Sequence, residues 1–291
     1  MTTQAIERYL APTQLEPALV ALTQPGGATV LAGGTDLAPQ TEAGVRAYRA
    51  ALLNIRRIEG LAGITDTGNE IRIGATTTIT EVRRSPVLAE IAPVLVAAAE
   101  RFASDQIRNA ATLGGNLCNA SPAGDMSPPL LVLDAEVELS RWRDEAVHTR
   151  RVPLAQFFLA PGKTVREPEE LLTAVVFPRP GAGFTGRFRK AGPRPALEIS
   201  TVSVALGARL QAGVLHEVRV AMGSVAPTPL RARHVERALE GRALDAATIA
   251  AAVEAAGEDA RPIDDVRASA WYRGHLVRVF VEEVLNDVRG N

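Results

Sequence analysis

Dense apolar runs broken by turn residues mark the strands of this chain. They predict β-structure at Ala28–Ala32, Ala51–Ile55, Ile71–Ile73, Val137–Ser140, around Val152, and at Leu171–Phe177. A second group follows at Arg187–Lys190, Val202–Leu210 and Leu215–Met222, with Gly213 in a hairpin turn between the last two. Apolar residues at helical spacing predict helices over Pro93–Ala103, Arg231–Leu239, Asp245–Ala256 and Ser269–Asn286. Two capping boxes, each a threonine with glutamate three residues on, add helix starts. Thr13–Glu16 opens a helix to Leu22, closed by Pro25-Gly26-Gly27, and Thr78–Glu81 opens another toward Arg84. The Pro- and Gly-dense stretch Pro178–Gly183 reads as a domain boundary. Strands followed by helices beyond it predict a separate α+β unit.

Two glycine pairs interrupt the pattern. Gly33-Gly34 ends the Ala28–Ala32 run and is followed by Thr35-Asp36-Leu37. Gly114-Gly115 lies in Arg108–Asp134, RNAATLGGNLCNASPAGDMSPPLLVLD. Without a side chain, the backbone N–H groups there can approach a bulky anion. Each pair also fits a plain feature, a strand-to-loop turn at Gly33 and a tight surface loop at Gly114, and the residues alone leave both readings open. Glycine and turn residues around Gly114 are too dense for the middle of a regular element. Asp125 is placed to cap a short helix starting near Met126, with Pro128 and Pro129 in its first turn.

Composition narrows the function classes. Hydrophobic residues make up 46% of the chain and charged residues 22%, so a sizeable core forms and disorder is excluded. A net charge of −1 with scattered basic residues argues against a nucleic-acid partner. No apolar run reaches membrane-spanning length, and the opening MTTQAIERYL lacks a signal-peptide layout, so a cytoplasmic location is expected. Cys118 is the single cysteine, which excludes an intrachain disulfide and an all-cysteine iron–sulfur cluster in this chain. The four histidines form no metal-spaced pair, so no metal site is expected. Gly181–Gly186 matches G-x-G-x-x-G but has prolines before it and strand-like residues after it, so it reads as a chance match. Gly162-Lys163-Thr164 lacks the upstream glycine of a phosphate loop. No nucleophile–base pair stands out, and no catalytic residue is assigned.

LAGGTDL at Leu31–Leu37, followed by IRNAATLGGNLCNASPAGD at Ile107–Asp125, resembles the flavin-binding subunit of the molybdenum hydroxylases, the xanthine dehydrogenase and carbon monoxide dehydrogenase relatives. Tyr9–Leu22 and FRKAGPRPALEIS at Phe188–Ser200 extend the resemblance over the whole chain. It implies an α+β fold: a two-subdomain FAD-binding unit of the vanillyl-alcohol-oxidase (PCMH) type, then a smaller α+β C-terminal domain. The expected bounds are 1–178 for the FAD domain, with subdomains near 1–56 and 57–178, and 183–291 for the C-terminal domain. The implied cofactor is FAD. The implied contacts are Leu31, Ala32, Gly33, Gly34, Thr35, Asp36 and Leu37 from the first loop, and Thr112, Gly114, Gly115, Asn116 and Asp125 from the second segment. In relatives both loops present backbone N–H groups to the FAD diphosphate, and Asp125, an acceptor when ionised, suits ribose hydroxyls. On this basis Gly114→Val is expected to obstruct the diphosphate with the fold largely kept. Phe102, Cys118, Lys190 and Ile199 resemble positions near the flavin ring or adenine. Cys118 as a small buried apolar residue and Lys190 as a surface lysine remain open alternatives.

The resemblance further implies an assembly, of heterohexamer type. A molybdopterin-binding large subunit oxidises the substrate. A small subunit with two iron–sulfur clusters relays electrons, and this chain passes them through FAD to an acceptor such as NAD or quinone. The single cysteine disfavours the 4-hydroxybenzoyl-CoA reductase branch, whose flavin subunit carries its own cluster. Thr35-Asp36 stands where carbon monoxide dehydrogenase relatives usually show His-Ser, which leans toward a xanthine-dehydrogenase-like or other heterocycle or aldehyde hydroxylase. A stand-alone FAD oxidoreductase of the same fold is the alternative enzyme reading, and a nucleotide-sensing or scaffold module the non-enzyme one.

Overall fold

The computed structural model describes residues 5–194 and 198–290. Pro195–Leu197, in the middle of the Phe188–Ser200 stretch, lie outside the described residues, as do Met1–Gln4 and Asn291. The chain begins with β1 (Arg8–Leu10), α1 (Leu15–Thr23), β2 (Thr29–Leu31), α2 (Leu37–Glu42) and β3 (Ala51–Asn54). The three strands form a parallel sheet of order β1-β3-β2, with β2 at an edge. Leu19 and Leu22 of α1 cover it, packing on Leu53, Ile55 and Ile58. The capping box expected at Thr13 does not form. The cap position is Gln14, and the Thr13 carbonyl accepts instead from the Glu59 N–H at 2.9 Å, which holds Thr13 against a neighbouring turn.

Next come β4 (Ile64–Asp66), β5 (Glu70–Gly74), α3 (Ile79–Arg84), α4 (Pro86–Ile91), α5 (Pro93–Glu100), α6 (Asp105–Ala110), α7 (Leu113–Asn119) and α8 (Ser127–Val132). Then follow β6 (Glu136–Arg143), β7 (Ala146–Pro153), α9 (Leu154–Phe157), β8 (Phe158–Ala160), β9 (Lys163–Thr164) and β10 (Leu171–Pro178). The long strands build an antiparallel sheet of order β4-β5-β10-β6-β7. β10 lies at its centre and is buried from Leu171 to Phe177, which accounts for its unbroken apolar run. A register shift between Leu172 and Ala174 bends it, and the adjacent leucines serve different cores: Leu171 joins the α1 cluster, Leu172 the larger cluster under α3–α8. The Thr78 capping box does form, with Glu81 reciprocating.

Two expectations for the central stretch are corrected. Gly114 and Gly115 sit in helix α7, not in an irregular loop, because Thr112 caps it and Gly114 packs tightly against Ala75. Asp125 does not cap α8. Met126 holds the cap position, and the Asp125 carboxylate is drawn to Lys190.

The remaining elements are β11 (Phe184–Ala191), β12 (Val202–Gln211), β13 (Val214–Gly223), β14 (Leu230–Arg231), α10 (Arg233–Leu239), α11 (Ala246–Asp259) and α12 (Ala270–Arg289). The four strands form an antiparallel sheet in sequence order, and Ala212-Gly213, both at positive φ, make the tight β12–β13 turn. One face packs on α10–α12 through Val204, Leu206, Phe280 and Val284. The other receives α8 and α5. Gly186, the last glycine of the chance G-x-G-x-x-G match, lies within β11, where a Cβ would stand 2.8 Å from Val94 of α5. Among the described residues no helix is long and apolar enough to cross a membrane.

Candidate functional site

β2 ends at the edge of the small parallel sheet and releases the chain into Ala32–Asp36 before α2 begins. Gly34 takes φ +73°, a conformation that favours glycine. The loop's carbonyls are engaged: Gly34 O accepts from Ala38 N at 3.1 Å and Asp36 O from Gln40 N at 3.0 Å. Its donors are not. Among the described residues, none accepts a hydrogen bond from the backbone N–H of Gly33, Gly34, Thr35 or Asp36. Polar groups left in this state need water or a ligand.

The second glycine pair is arranged the other way. Thr112 bridges Thr78, and the α7 start is tied into the β5–α3 turn. Leu113 N donates to Thr77 O at 3.0 Å and Gly114 N to Ala75 O at 2.8 Å. Gly115 N donates to the Thr112 hydroxyl at 3.1 Å and Asn116 N to Thr112 O at 3.0 Å. A Cβ on Gly114 would come 2.7 Å from Ala75 Cβ and 2.8 Å from Ala75 O. The expectation that Gly114→Val leaves the fold largely intact is therefore corrected, since the added bulk meets backbone. Gly33 is likewise pressed on the chain just before Thr112, where a Cβ would collide with the Ala110 carbonyl. These two glycines permit protein backbone to touch protein backbone.

Between the loops lies a cleft of about 380 Å³, within the range of cofactor pockets. Ala32–Leu37 line one side; Thr112, Gly114–Asn116 and Cys118 line the other; Phe102, Leu171 and Leu172 supply apolar wall. The structure thus brings together the expected residues of both segments, Leu31 and Asp125 excepted. Leu31 is not part of the lining and packs behind Gly34, with Cδ1 3.1 Å from where a Gly34 Cβ would stand. Asp125, Lys190 and Ile199 also lie outside its lining. Asp125 and Lys190 form a buried ion pair, Nζ to Oδ2 at 2.6 Å, and Lys190 Nζ also donates to Arg101 O at 3.1 Å. Burial outweighs the lysine and pushes the Asp125 carboxyl up to about 6. Ile199 is 52% exposed.

Two buried side-chain oxygens, Asn116 Oδ1 and Asp125 Oδ1, have no donor among the described residues. Gly124, the residue before Asp125, packs toward Asn116: a Cβ there would stand 3.5 Å from Asn116 Oδ1. Cys118 is half-buried at the cleft, and burial pushes its thiol up, against the pull of Arg166 and Arg46.

Sequence reasoning missed Asn119, Gln40, Arg46, Arg49, Arg166 and Glu170. Asn119 donates to Asp36 Oδ2 at 3.2 Å and accepts from Gln40 at 2.9 Å, tying α7 to the first loop and α2. It lies one turn after Asn116, so reading Gly114-Gly115 as helical would have placed the two asparagines on one face. The arginines and Glu170 carried no local signal.

Residues 4–180 match the family model for the FAD-binding domain in molybdopterin dehydrogenase, and residues 187–288 that for the CO dehydrogenase flavoprotein C-terminal domain. The chain is 34% identical over 281 residues to the xanthine dehydrogenase FAD-binding subunit of Escherichia coli O157:H7, covering 96% of this chain and 94% of that one. It is 30% identical over 280 residues to the carbon monoxide dehydrogenase medium chain of Hydrogenophaga pseudoflava, covering 96% and 95%. A solved structure of carbon monoxide dehydrogenase from H. pseudoflava, lacking the Mo-pyranopterin moiety of the molybdenum cofactor, superimposes with a TM-score of 0.91 at 31% identity over 98% of each chain. With both halves matched and the fold shared, the chain belongs to the FAD-binding medium subunits of the xanthine dehydrogenase and carbon monoxide dehydrogenase family of molybdenum hydroxylases.

Proposed function

We propose that FAD occupies the cleft between the two glycine loops, with its diphosphate on the first. The unengaged N–H row of Gly33–Asp36 carries this reading, because a diphosphate accepts several such bonds at once. The orphaned oxygens of Asn116 and Asp125 fit the cofactor's hydroxyl donors, and Phe102 with Leu172 fits an apolar ring. Thr35 adds a hydroxyl. The second loop contributes its frame and Asn116, and its backbone donors stay within the protein. The site set remains Leu31–Leu37, Phe102, Thr112, Gly114–Asn116, Cys118, Asp125, Lys190 and Ile199, of which Leu31, Asp125, Lys190 and Ile199 would serve the cofactor from beside the cleft.

Bound FAD supplies a carrier able to pair single electrons for a two-electron acceptor. This chain's residues hold and orient it; none is needed as acid or base. Electrons reach it from a two-cluster iron–sulfur small subunit, fed by a molybdopterin-binding large subunit, in a heterohexameric cytoplasmic assembly, and leave to an acceptor such as NAD or quinone. The FAD domain spans 1–178, divided near residue 56, and the C-terminal domain 183–291. Thr35-Asp36 and the 34% identity to a xanthine dehydrogenase subunit support a partner that is xanthine-dehydrogenase-like or hydroxylates another heterocycle or an aldehyde.

The test uses the purified complex. Denaturation releases one FAD per copy of this chain. Substrate added without acceptor bleaches the flavin absorbance, and acceptor restores it. Turnover with the flavin still oxidised would sink the electron route, and turnover by this chain alone would favour the stand-alone oxidoreductase.

A further inference from the structure

We propose that Arg46 and Arg166 form a guanidinium pair that closes on the diphosphate of FAD and sets the preference of this chain for a dinucleotide over an unphosphorylated flavin. The inference rests on FAD occupying the cleft. Arg46 lies between α2 and β3, and Arg166 between β9 and β10, so the two come from different parts of the fold. Both line the cleft that holds the open N–H row of Gly33–Asp36. Both also bear on the Cys118 thiol, so the two charges act on the same part of the cleft.

The carboxylates of the cleft already have other donors. Asp36 Oδ2 accepts from Asn119 and feels Arg46 only through space, and Glu170 is gripped by Arg150 at 2.6 and 2.9 Å and by the Glu167 N–H at 2.8 Å. Arg166 donates through Nη1 to Glu167 O at 3.0 Å and Glu170 O at 2.7 Å. Those bonds fix one edge of its guanidinium; among the described residues, its other nitrogens and the whole Arg46 guanidinium have no protein acceptor. Arg49, by contrast, is anchored to Gly26 O at 2.9 Å. The N–H row supplies neutral donors only. A diphosphate also brings negative charge, which planar guanidiniums match with paired, charge-assisted hydrogen bonds.

The experiment measures equilibrium binding of FAD and of riboflavin to the flavin-free full chain, as wild type, Arg46→Gln, Arg166→Gln and the double variant. Each single substitution is expected to weaken FAD about 10-fold and the pair about 100-fold. Riboflavin, which lacks both phosphates, is expected to bind all four proteins alike. Arg46→Gln removes no hydrogen bond among the described residues, only a Coulombic pull on Asp36, so its melting temperature is expected within a few degrees of wild type and it remains informative if Arg166→Gln folds poorly. FAD affinity within about twofold of wild type in the double variant overturns the pair, as does a parallel fall for riboflavin. A wild-type chain that binds no FAD overturns the occupancy of the cleft, and this inference with it.

Discussion

Gly33-Gly34 and Gly114-Gly115 are the same dipeptide, face the same cleft, and use their backbones in opposite ways. The first loop keeps four N–H groups free of acceptors among the described residues. The second engages Leu113, Gly114, Gly115 and Asn116 N–H groups within the protein. The lesson concerns what a glycine is for. Gly33 and Gly114 admit a neighbouring peptide at a distance no side chain tolerates, whereas Gly34 supplies a left-handed turn. Binding donors and framework are therefore separate properties, divided between two loops that look alike.

That division can be broken by experiment. The largest effect is expected downstream of the second loop, where Asp125 Oδ2 is held by Lys190. Lys190→Met leaves a buried carboxylate without its partner and is expected to cost about 3–5 kcal/mol at pH 8. The deficit in melting temperature shrinks toward pH 5, where Asp125 takes up a proton. The sign follows from the raised carboxyl. The folded state binds the proton more tightly than the unfolded chain, so in the wild type this contribution is full below the ordinary carboxylate range and is lost as pH rises through about 6. Asp125→Asn should abolish that slope; a persisting slope would assign it to another group.

Gly114→Val comes next. It forces methyls into Ala75 and is expected to cost about 3 kcal/mol in the flavin-free chain, read as a lower melting temperature. A variant that melts like wild type yet loses FAD would restore the second loop as a direct diphosphate cradle. Thr112→Ala removes the α7 cap and is expected to cost about 1 kcal/mol in the flavin-free chain, read as a lower melting temperature. Asn116→Ala is expected to leave stability at or above wild type, because the Oδ1 it deletes has no donor among the described residues, while FAD binding weakens several-fold. Equal loss of stability and affinity at Asn116 would remove the contrast between the loops.

What was legible in the sequence follows from how local each cause is. Leu171–Phe177 and Val202–Leu210 announced themselves because buried strands need continuous apolar residues. Thr78–Glu81 reads correctly as a capping box because both partners lie within one turn. Thr13–Glu16 has the same letters, but its backbone is held by Glu59, which no local rule can see. Helix α7 was hidden because two glycines argue against a helix by about 1 kcal/mol each, and only the Ala75 contact and the Thr112 cap offset that. The resemblance brought both glycine loops to one cleft but said nothing of Arg46 or Arg166, whose relevance is created by chain segments 120 residues apart (166 − 46).

The position of β10 has a consequence for biosynthesis. It is the last strand of its sheet to emerge from the ribosome, yet it sits in the middle, pairing Ala174 with both Gly74 and Glu138. Until Leu171–Pro178 arrives, β4-β5 and β6-β7 are two separate hairpins with exposed inner edges, a high-contact-order arrangement that assembles slowly. Leu171 and Leu172 also wall the cleft, so a truncated nascent chain offers no finished pocket, and cofactor loading waits for the sheet to close.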